Sequence, residues 1–219
     1  MFEYKGLKVK WYGHDTFSLE GDTRIYIDPY KLSKKTDNVD LILISHNHFD
    51  HLSLEDLQKI STKKTTIVAA KECVNKLTSI ASKEKIGIMP GDEKTVNGIR
   101  IRAVNAYNID KINPDTKKPF HPKEDNKIGF FVNIKGITIY HTGDTDLIPE
   151  MSNSRPDILL VPVSGTYVMT AKEAAKATET IKPKIAIPMH YGTIVGSERD
   201  AIEFKNLVKS CEVQILTKE

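Results

Sequence analysis

The sequence has few cysteines and no long apolar segment, and each absence excludes a class of protein. Only Cys73 and Cys211 occur among 219 residues, and neither has a nearby partner motif. A disulfide framework and a thiolate zinc site are therefore not expected. The apolar runs are about four to seven residues long, whereas a bilayer-spanning helix needs ~20. The first residues also lack the apolar region of a signal peptide, so we expect a cytoplasmic protein.

The net charge is small and the basic residues are scattered along the chain, which argues against a nucleic-acid partner. The formal net charge is +3, the isoelectric point is about 8.6, and the lysines are scattered along the chain. A protein that binds nucleic acid usually concentrates positive charge on one face. We therefore expect a small-molecule substrate and no nucleic-acid or membrane partner. A homo-oligomer stays open.

Length and composition predict one folded domain over residues 1–219. With 39% hydrophobic residues, the chain can bury a full core. No run rich in serine and glycine and no block of like charge divides it.

Strand and helix patterns alternate through two comparable halves of the chain. Short β-rich runs are bounded by turn residues such as Gly21-Asp22 and Asn97-Gly98. Helices are predicted where apolar residues recur every three or four positions. The predicted strands cover residues 7–12, 16–19, 23–27, 40–45, 65–69, 96–104, 128–134, 136–140, 157–161, 185–188 and 213–216, and the predicted helices cover residues 54–60, 71–81, 171–180 and 198–209. Periodicity alone predicts an α/β or an α+β fold.

The densest group of chemically active residues follows the apolar run Leu41–Ile44 and reads His46-Asn47-His48-Phe49-Asp50-His51. Neutral imidazole and carboxylate groups are the common ligands of zinc and similar ions. A strand over residues 40–45 would end at His46, and the carboxyl ends of strands are where open α/β sheets place their sites. Alternate side chains of extended backbone share a face, so His46 and His48 can bind one ion while Asp50 and His51 reach a second.

Two further predicted strands also end next to a candidate ligand. Asp144 follows the β-rich run Ile137–Tyr140, and His190 follows Ile185–Ile187, where Pro188 fits a strand terminus. Either residue alone is as readily explained as an ordinary loop residue. Because three separate strand ends each supply a ligand type, the joint pattern favours a metal site assembled from distant parts of the sequence.

These motifs together resemble the metallo-β-lactamase fold hydrolases, whose signature is His-x-His-x-Asp-His after a strand. The other landmarks follow in the expected order: His121 within Phe120-His121-Pro122, then Gly143-Asp144-Thr145, then Pro188-Met189-His190-Tyr191-Gly192. The opening Trp11–Phe17 and the following Ile27-Asp28-Pro29 look most like the branch of ascorbate-phosphate lactonase-like and uncharacterised metal-dependent hydrolases. The resemblance runs from about Val9 to Gly192 and implies an α+β fold, the four-layer αββα sandwich.

The resemblance also implies ligands for two divalent metal ions, zinc first, with manganese or iron as alternatives. His46, His48 and His121 would hold metal one; Asp50, His51 and His190 would hold metal two; and Asp144 would bridge both. Many members place the third histidine in a Gly-His-Thr or Gly-His-Ser context, whereas His121 stands in Phe-His-Pro-Lys.

Three further residues are predicted to lie just behind the ligands. Asp28 would support the metal-binding loop, as in the family's first motif. His14 and His141 would lie near the ligands, and they are the remaining candidates for the third histidine if His121 does not bind. His121 also lies in the long polar segment 108–126, which we interpret as an active-site flap.

The predicted activity is metal-assisted hydrolysis. Two ions with a bridging hydroxide would provide a nucleophile at neutral pH and polarise the substrate. Asp50 would orient that nucleophile and pass a proton to the leaving group. A small ester, lactone or phosphoester fits this chemistry, and the sequence does not choose among them. The alternatives are an iron-dependent oxygenase or sulfur-metabolism enzyme, a phosphodiesterase or nuclease on the same fold, and a metal-binding protein without activity.

Overall fold

Each half of the chain folds around a seven-stranded sheet. In the computed structural model, which describes residues 1–33, 35–36, 38–152 and 154–219, the chain divides into two units. Unit 1 comprises Met1–Met89 and Leu216–Glu219, and unit 2 comprises Pro90–Ile215. The single domain expected from composition stays a prediction.

The sheet of unit 1 begins as an antiparallel meander and continues as parallel strands. Its strands lie in sequence order, and β1 to β7 are Phe2–Tyr4, Leu7–Gly13, Thr16–Glu20, Arg24–Ile27, Leu41–Ile44, Thr66–Ala70 and Glu84–Ile88. Neighbours are antiparallel from β1 to β4 and parallel from β4 to β7. β5 is apolar and buried over its whole length, as is usual for a strand inside a parallel sheet.

Among its described residues, unit 1 has one α-helix and one 3₁₀ helix. In α1, Leu54–Ile60, the side chain of the N-cap residue Ser53 accepts the Asp56 N–H. The prediction of an α-helix over residues 71–81 was wrong, because the segment forms a 3₁₀ helix, Lys71–Leu77. Ala70 supplies no side-chain cap, and the segment contains cysteine, valine and asparagine, which are weak α-helix formers.

Unit 2 repeats the same order of pairings. β8 to β14 are Glu93–Val96, Ile99–Asn105, Ile128–Ile134, Ile137–His141, Ile158–Pro162, Ile185–Met189 and Glu212–Val213. Neighbours are antiparallel from β8 to β11 and parallel from β11 to β14. The segment predicted as strand over residues 96–104 belongs to a hairpin of β8 and β9. Asn97 and Gly98 turn the chain with positive φ angles of 50° and 78°, the backbone of a tight two-residue hairpin turn.

Two α-helices belong to unit 2. α2, Ala171–Ile181, begins with a capping box formed by Thr170 and Glu173. Its buried face consists mainly of alanines, and it packs against β12 and against α3, Glu198–Leu207. Within the described part of the chain, no helix is both long and apolar enough to cross a membrane.

Candidate metal centre

The predicted ligands lie where the strands end. β5 ends two residues before His46, β11 ends three residues before Asp144, and β13 ends directly before His190. His121 lies in the long connection between β9 and β10, where its side chain is buried. The positions inferred from the apolar runs therefore agree with the structure, while the roles of these residues as ligands stay predictions.

In unit 1, the residues of the histidine-rich loop lie close together. The ligand atoms of His14, Asp50 and His51 lie within 4.8 Å of one another, and those of His46 and His48 are within the same distance of each other. His14 Nε2 lies 2.9 Å from Asp50 Oδ2, which places His14 directly beside the predicted catalytic carboxylate. The structure thus places His14 beside Asp50, one of the predicted ligands, and the role of His14 stays a prediction.

Asp28 and Ser45 orient two of these histidines through their Nδ1 atoms. The buried Asp28 carboxylate accepts the Ser45 backbone N–H at 2.7 Å, the Ser45 hydroxyl at 2.5 Å and the His51 Nδ1–H at 2.8 Å. Since the Ser45 hydroxyl donates to Asp28, its oxygen can accept from His46 Nδ1, 3.0 Å away. His46 and His51 would therefore keep a lone pair on Nε2, the state that binds metal ions.

In unit 2, two histidines face the same carboxylate oxygen. His121 Nε2 and His190 Nε2 each lie 3.3 Å from Asp144 Oδ2. His190 Nδ1 is 2.9 Å from Ser164 Oγ, and the Ser164 hydroxyl itself donates to the Thr166 carbonyl. The Ser164 oxygen can then accept from His190 Nδ1, and in that tautomer Nε2, which faces Asp144, keeps its lone pair.

The donor set of each unit fits a divalent cation. Imidazole nitrogens held through Nδ1, with Nε2 beside carboxylate oxygens, are the usual arrangement of zinc, manganese and iron sites. Buried carboxylates also need a compensating positive charge, which a cation supplies. The residues present therefore match the metal ions that the sequence motifs imply.

Three residues of the candidate site have a strained backbone. His14, Asp28 and His190 have φ angles of 52°, 45° and 60°, in the left-handed region that residues with a Cβ seldom adopt. Such conformations cost of order 1 kcal/mol or more and concentrate at functional sites. Each of the three residues directly follows a strand, so the positive φ turns the chain out of the sheet at the candidate site.

Sequence reasoning missed Asp15 and the polar residues that orient His121 and His190. Asp15 is fully buried, and its Oδ2 lies 3.4 Å from His14 Nε2 and 3.8 Å from His51 Nε2. Its place directly after His14 is a signal that could have identified it. Asn108 and Ser164 carry no comparable local signal, because each contacts its histidine across a long stretch of sequence.

His141 has a contact that differs from those of the ligand histidines. Its Nδ1 accepts the backbone N–H of Gly143 at 3.2 Å, and Gly143 has a positive φ of 63°. His141 therefore stabilises the turn that leads to Asp144. This is in keeping with the predicted position just behind the ligands.

The pairing order of the strands and the strand-end histidines and aspartates define the class, a metal-binding α+β protein of the metallo-β-lactamase type. A family model described as the beta-lactamase superfamily domain matches residues 8–190. A UPF0173 metal-dependent hydrolase of Archaeoglobus fulgidus is 33% identical over 218 residues, covering 93% of this chain and 91% of that protein. One from Thermococcus kodakarensis is 36% identical and covers 96% of each chain.

Solved structures agree with these relatives. A crystal structure of a protein from Parabacteroides distasonis has a TM-score of 0.80 and 30% identity, covering 96% of this chain and 94% of that one. Igni18, a metallo hydrolase of Ignicoccus hospitalis, has a TM-score of 0.76 and 27% identity, covering 97% and 95%. The chain therefore belongs to the beta-lactamase superfamily, among the UPF0173 metal-dependent hydrolases. The predicted family, the metallo-β-lactamase fold and the class of metal-dependent hydrolase are confirmed.

Proposed function

We propose that this protein hydrolyses a small ester, lactone or phosphoester with the help of two divalent metal ions. The observation that carries the proposal is the shared orientation of four histidines. His46, His51, His121 and His190 are each held through Nδ1, which leaves Nε2 for a metal ion. A divalent cation is a favourable partner for such lone pairs beside buried carboxylates.

The ligand assignment follows the order of the family's motifs. His46, His48 and His121 would hold one ion, Asp50, His51 and His190 would hold the other, and Asp144 would be common to both. When bound, zinc or manganese ions supply Lewis acidity and a water whose pKa falls toward ~7.

Asp50 is the carboxylate best placed to move a proton. Its side chain is 14% exposed, whereas those of Asp15 and His51 are fully buried, so Asp50 alone of these groups reaches solvent and substrate. His14 Nε2, 2.9 Å from Asp50 Oδ2, fixes the orientation of the carboxylate. Asp50 would then accept a proton from the attacking water and deliver it to the leaving group.

Aromatic side chains beside the ligands support a substrate with an apolar part. Phe49 is 66% exposed next to Asp50, and its ring lies 5.8 Å from that of Tyr30. In unit 2, the ring of Phe120, which directly precedes His121 in the sequence, lies 4.6 Å from that of Tyr167. Such surfaces suit the carbon skeleton of an ester or lactone better than a small phosphoester, and they favour a small-molecule partner.

The test combines metal analysis with a substrate panel. We expect elemental analysis of the purified protein to find close to two divalent ions per chain, and the loaded protein to hydrolyse at least one class among lactones, thioesters and phosphodiesters. A stoichiometry that stays at one under saturating zinc or manganese contradicts the dinuclear centre. Iron alone, with oxygen consumption and no hydrolysis, would favour the oxygenase alternative.

Asp50→Asn separates the chemistry from the fold. The amide keeps the size of the side chain but removes the charge, so kcat should fall at least ~100-fold with little change in the free energy of unfolding. Asp115→Asn is the matched control, because Asp115 is an exposed residue in the 108–126 segment. Near-normal turnover by Asp50→Asn would remove Asp50 from the mechanism.

A further inference from the structure

Asn108 is a buried amide that connects the turn after β11 to His121. Its side-chain Nδ2 donates to Asp146 Oδ1 at 3.2 Å and to the Tyr167 carbonyl at 2.9 Å. Both partners accept hydrogen bonds, so they determine which end of the amide carries nitrogen. The oxygen of Asn108 must then face the other way.

Asp146 is held as an acceptor by other contacts as well. Its Oδ2 accepts the backbone N–H groups of Ile109 at 2.7 Å and Asp110 at 3.1 Å, and Lys111 Nζ lies 3.6 Å from Oδ1. With two backbone N–H donors on Oδ2 and an ammonium near Oδ1, the Asp146 carboxylate acts as an acceptor toward its neighbours. Rotating the Asn108 amide would place two oxygens against each other, so only one orientation is favourable.

The Asn108 oxygen therefore faces His121. Oδ1 accepts the His121 backbone N–H at 2.9 Å and lies 2.8 Å from His121 Nδ1. Since the oxygen can only accept, Nδ1 must carry the proton. In neutral His121 the lone pair is then on Nε2, 3.3 Å from Asp144 Oδ2.

We propose that Asn108, oriented by Asp146, is a positioning residue that holds His121 in the Nδ1–H tautomer and so prepares Nε2 to bind a metal ion. Without this contact, the other tautomer would place an Nε2–H against the Asp144 carboxylate and form a hydrogen bond. A metal ion would have to displace that proton before it could bind. Asn108 removes this competition and fixes a ring that lies in a long connection between strands.

The inference about metal binding rests on the proposed function, whereas the tautomer can be measured without it. We would record histidine ring nitrogen signals by NMR on ¹⁵N-labelled protein after chelation, and identify His121 by the signal that is missing in His121→Ala. Circular dichroism checks that the chelated protein stays folded. We expect the Nδ1 of His121 to carry the proton that is hydrogen-bonded to Asn108 Oδ1. An Nε2–H tautomer in the wild-type protein overturns the proposal.

Asn108→Ala then tests the consequence for metal binding. We expect a mixture of His121 tautomers and a zinc affinity at least ~10-fold weaker in titrations against a competing chelator. Asn113→Ala is the matched control. Asn113 lies in the same segment and accepts two backbone N–H groups, from Asp115 and Thr116, at 2.9 and 3.2 Å.

The outcomes separate this inference from the proposed function. A wild-type protein that binds no divalent ion refutes the metal centre, while the tautomer measurement still decides the role of Asn108. A wild-type protein that binds metal, with Asn108→Ala unchanged in both tautomer and affinity, refutes the positioning role and leaves the proposed function standing. Equal losses in Asn108→Ala and Asn113→Ala would mean that general loosening of the segment causes the effect, and would also refute it.

Discussion

At the scale of single residues, Asp28 holds the predicted metal-binding loop through three hydrogen bonds. It follows β4, accepts three hydrogen bonds from Ser45 and His51, and keeps a φ of 45° to do so. The backbone N–H of Asp28 also donates to the Leu43 carbonyl at 2.9 Å, which aligns the residue with the end of β5. The buried Asp28 carboxylate thus orients His51, and the residue adopts a positive φ angle in the same place.

Asp28→Asn should weaken both metal binding and stability. An amide nitrogen would have to face either a Ser45 donor or the His51 Nδ1–H, so one buried donor would lose its acceptor. We expect a loss of about 1–3 kcal/mol in denaturant unfolding and a zinc affinity lowered ~10-fold or more.

Asp40→Asn serves as the control for Asp28→Asn. Asp40 accepts the Arg24 backbone N–H at 2.8 Å in the same unit. It should lose stability only, and an equal loss of zinc affinity in both variants would contradict the role given to Asp28.

At the level of elements, the start of α1 depends on the charge of Asp56. Burial raises the pKa of this carboxyl, but hydrogen bonds from Ser53, Lys59 and the backbone of Lys31 and Leu32 outweigh burial and hold the pKa below its usual value. A depressed pKa in the folded state stabilises the protein above the unfolded pKa of about 3.9. That contribution is lost as the pH falls through the folded pKa.

Asp56→Asn should therefore destabilise the protein in a pH-dependent way. We expect the free energy of unfolding at pH 7 to fall by about 2 kcal/mol, because hydrogen bonds to a charged group are lost. The difference from wild type should shrink as the pH falls from about 4 through the lowered pKa of the folded state, where the wild-type carboxyl becomes protonated too. Urea unfolding of both proteins at pH 7 and at lower pH measures this. A difference in the free energy of unfolding that does not change with pH would show that charge is not the cause.

Gly129 on β10 leaves room for the backbone that leads to Asp144. A Cβ at this position would lie 2.6 Å from the Thr142 carbonyl oxygen and 2.8 Å from that of His141. Those atoms belong to the backbone at the end of β11, so only a shift of the strand or of the turn can relieve the clash. The close approach of two strands and the position of Asp144 are thus set by the same glycine.

Gly129→Ala should cost about 1–3 kcal/mol of stability and also weaken zinc binding. Gly21→Ala is a suitable control, since its Cβ would meet only Leu7 Cδ1 at an ordinary 3.8 Å. Thermal unfolding and zinc titration of both variants check the prediction. A stable Gly129→Ala variant with wild-type affinity would show that the turn before Asp144 moves freely.

For the whole molecule, metal binding should appear as thermal stability. The seven proposed ligands extend from His46 to His190, so bound ions would tie distant segments together. A ligand at 100 times its Kd stabilises the folded state by about 2.7 kcal/mol, and for a chain of this length 1 kcal/mol moves Tm by roughly 2–4 °C.

Chelation should therefore lower Tm by roughly 5–10 °C, and zinc or manganese should restore it. Differential scanning calorimetry before and after chelation measures the shift. Magnesium, which binds poorly to imidazole nitrogen, is the control ion and should restore little. Recovery with magnesium alone would mean that the histidines are not the ligands.

The order of apolar and polar residues along the sequence was enough to locate the candidate ligands and the strands that precede them. Apolar runs such as Leu41–Ile44 and Ile137–Tyr140 mark strands by composition, and the polar residues that follow them mark strand ends. Strands and helices without a clear apolar pattern or cap were harder to predict. β7 was not predicted, because its exposed Glu84 and its half-buried Lys85 hide the alternation of a strand, and the segment after β6 was predicted as an α-helix although it lacks a cap.

The groups that orient the ligands became visible only once the strands were paired. The parallel register of β4 and β5, with Ile27 opposite Leu43, carries Asp28 to Ser45 and His51. Asn108 and Asp146 are 38 residues apart and meet because β10 pairs with both β9 and β11. Residue types that bind metal can be recognised along a chain, since their chemistry is local. Which nitrogen of a histidine is free depends on a partner far away in sequence, and hydrogen bonds between such partners exist only in the folded state.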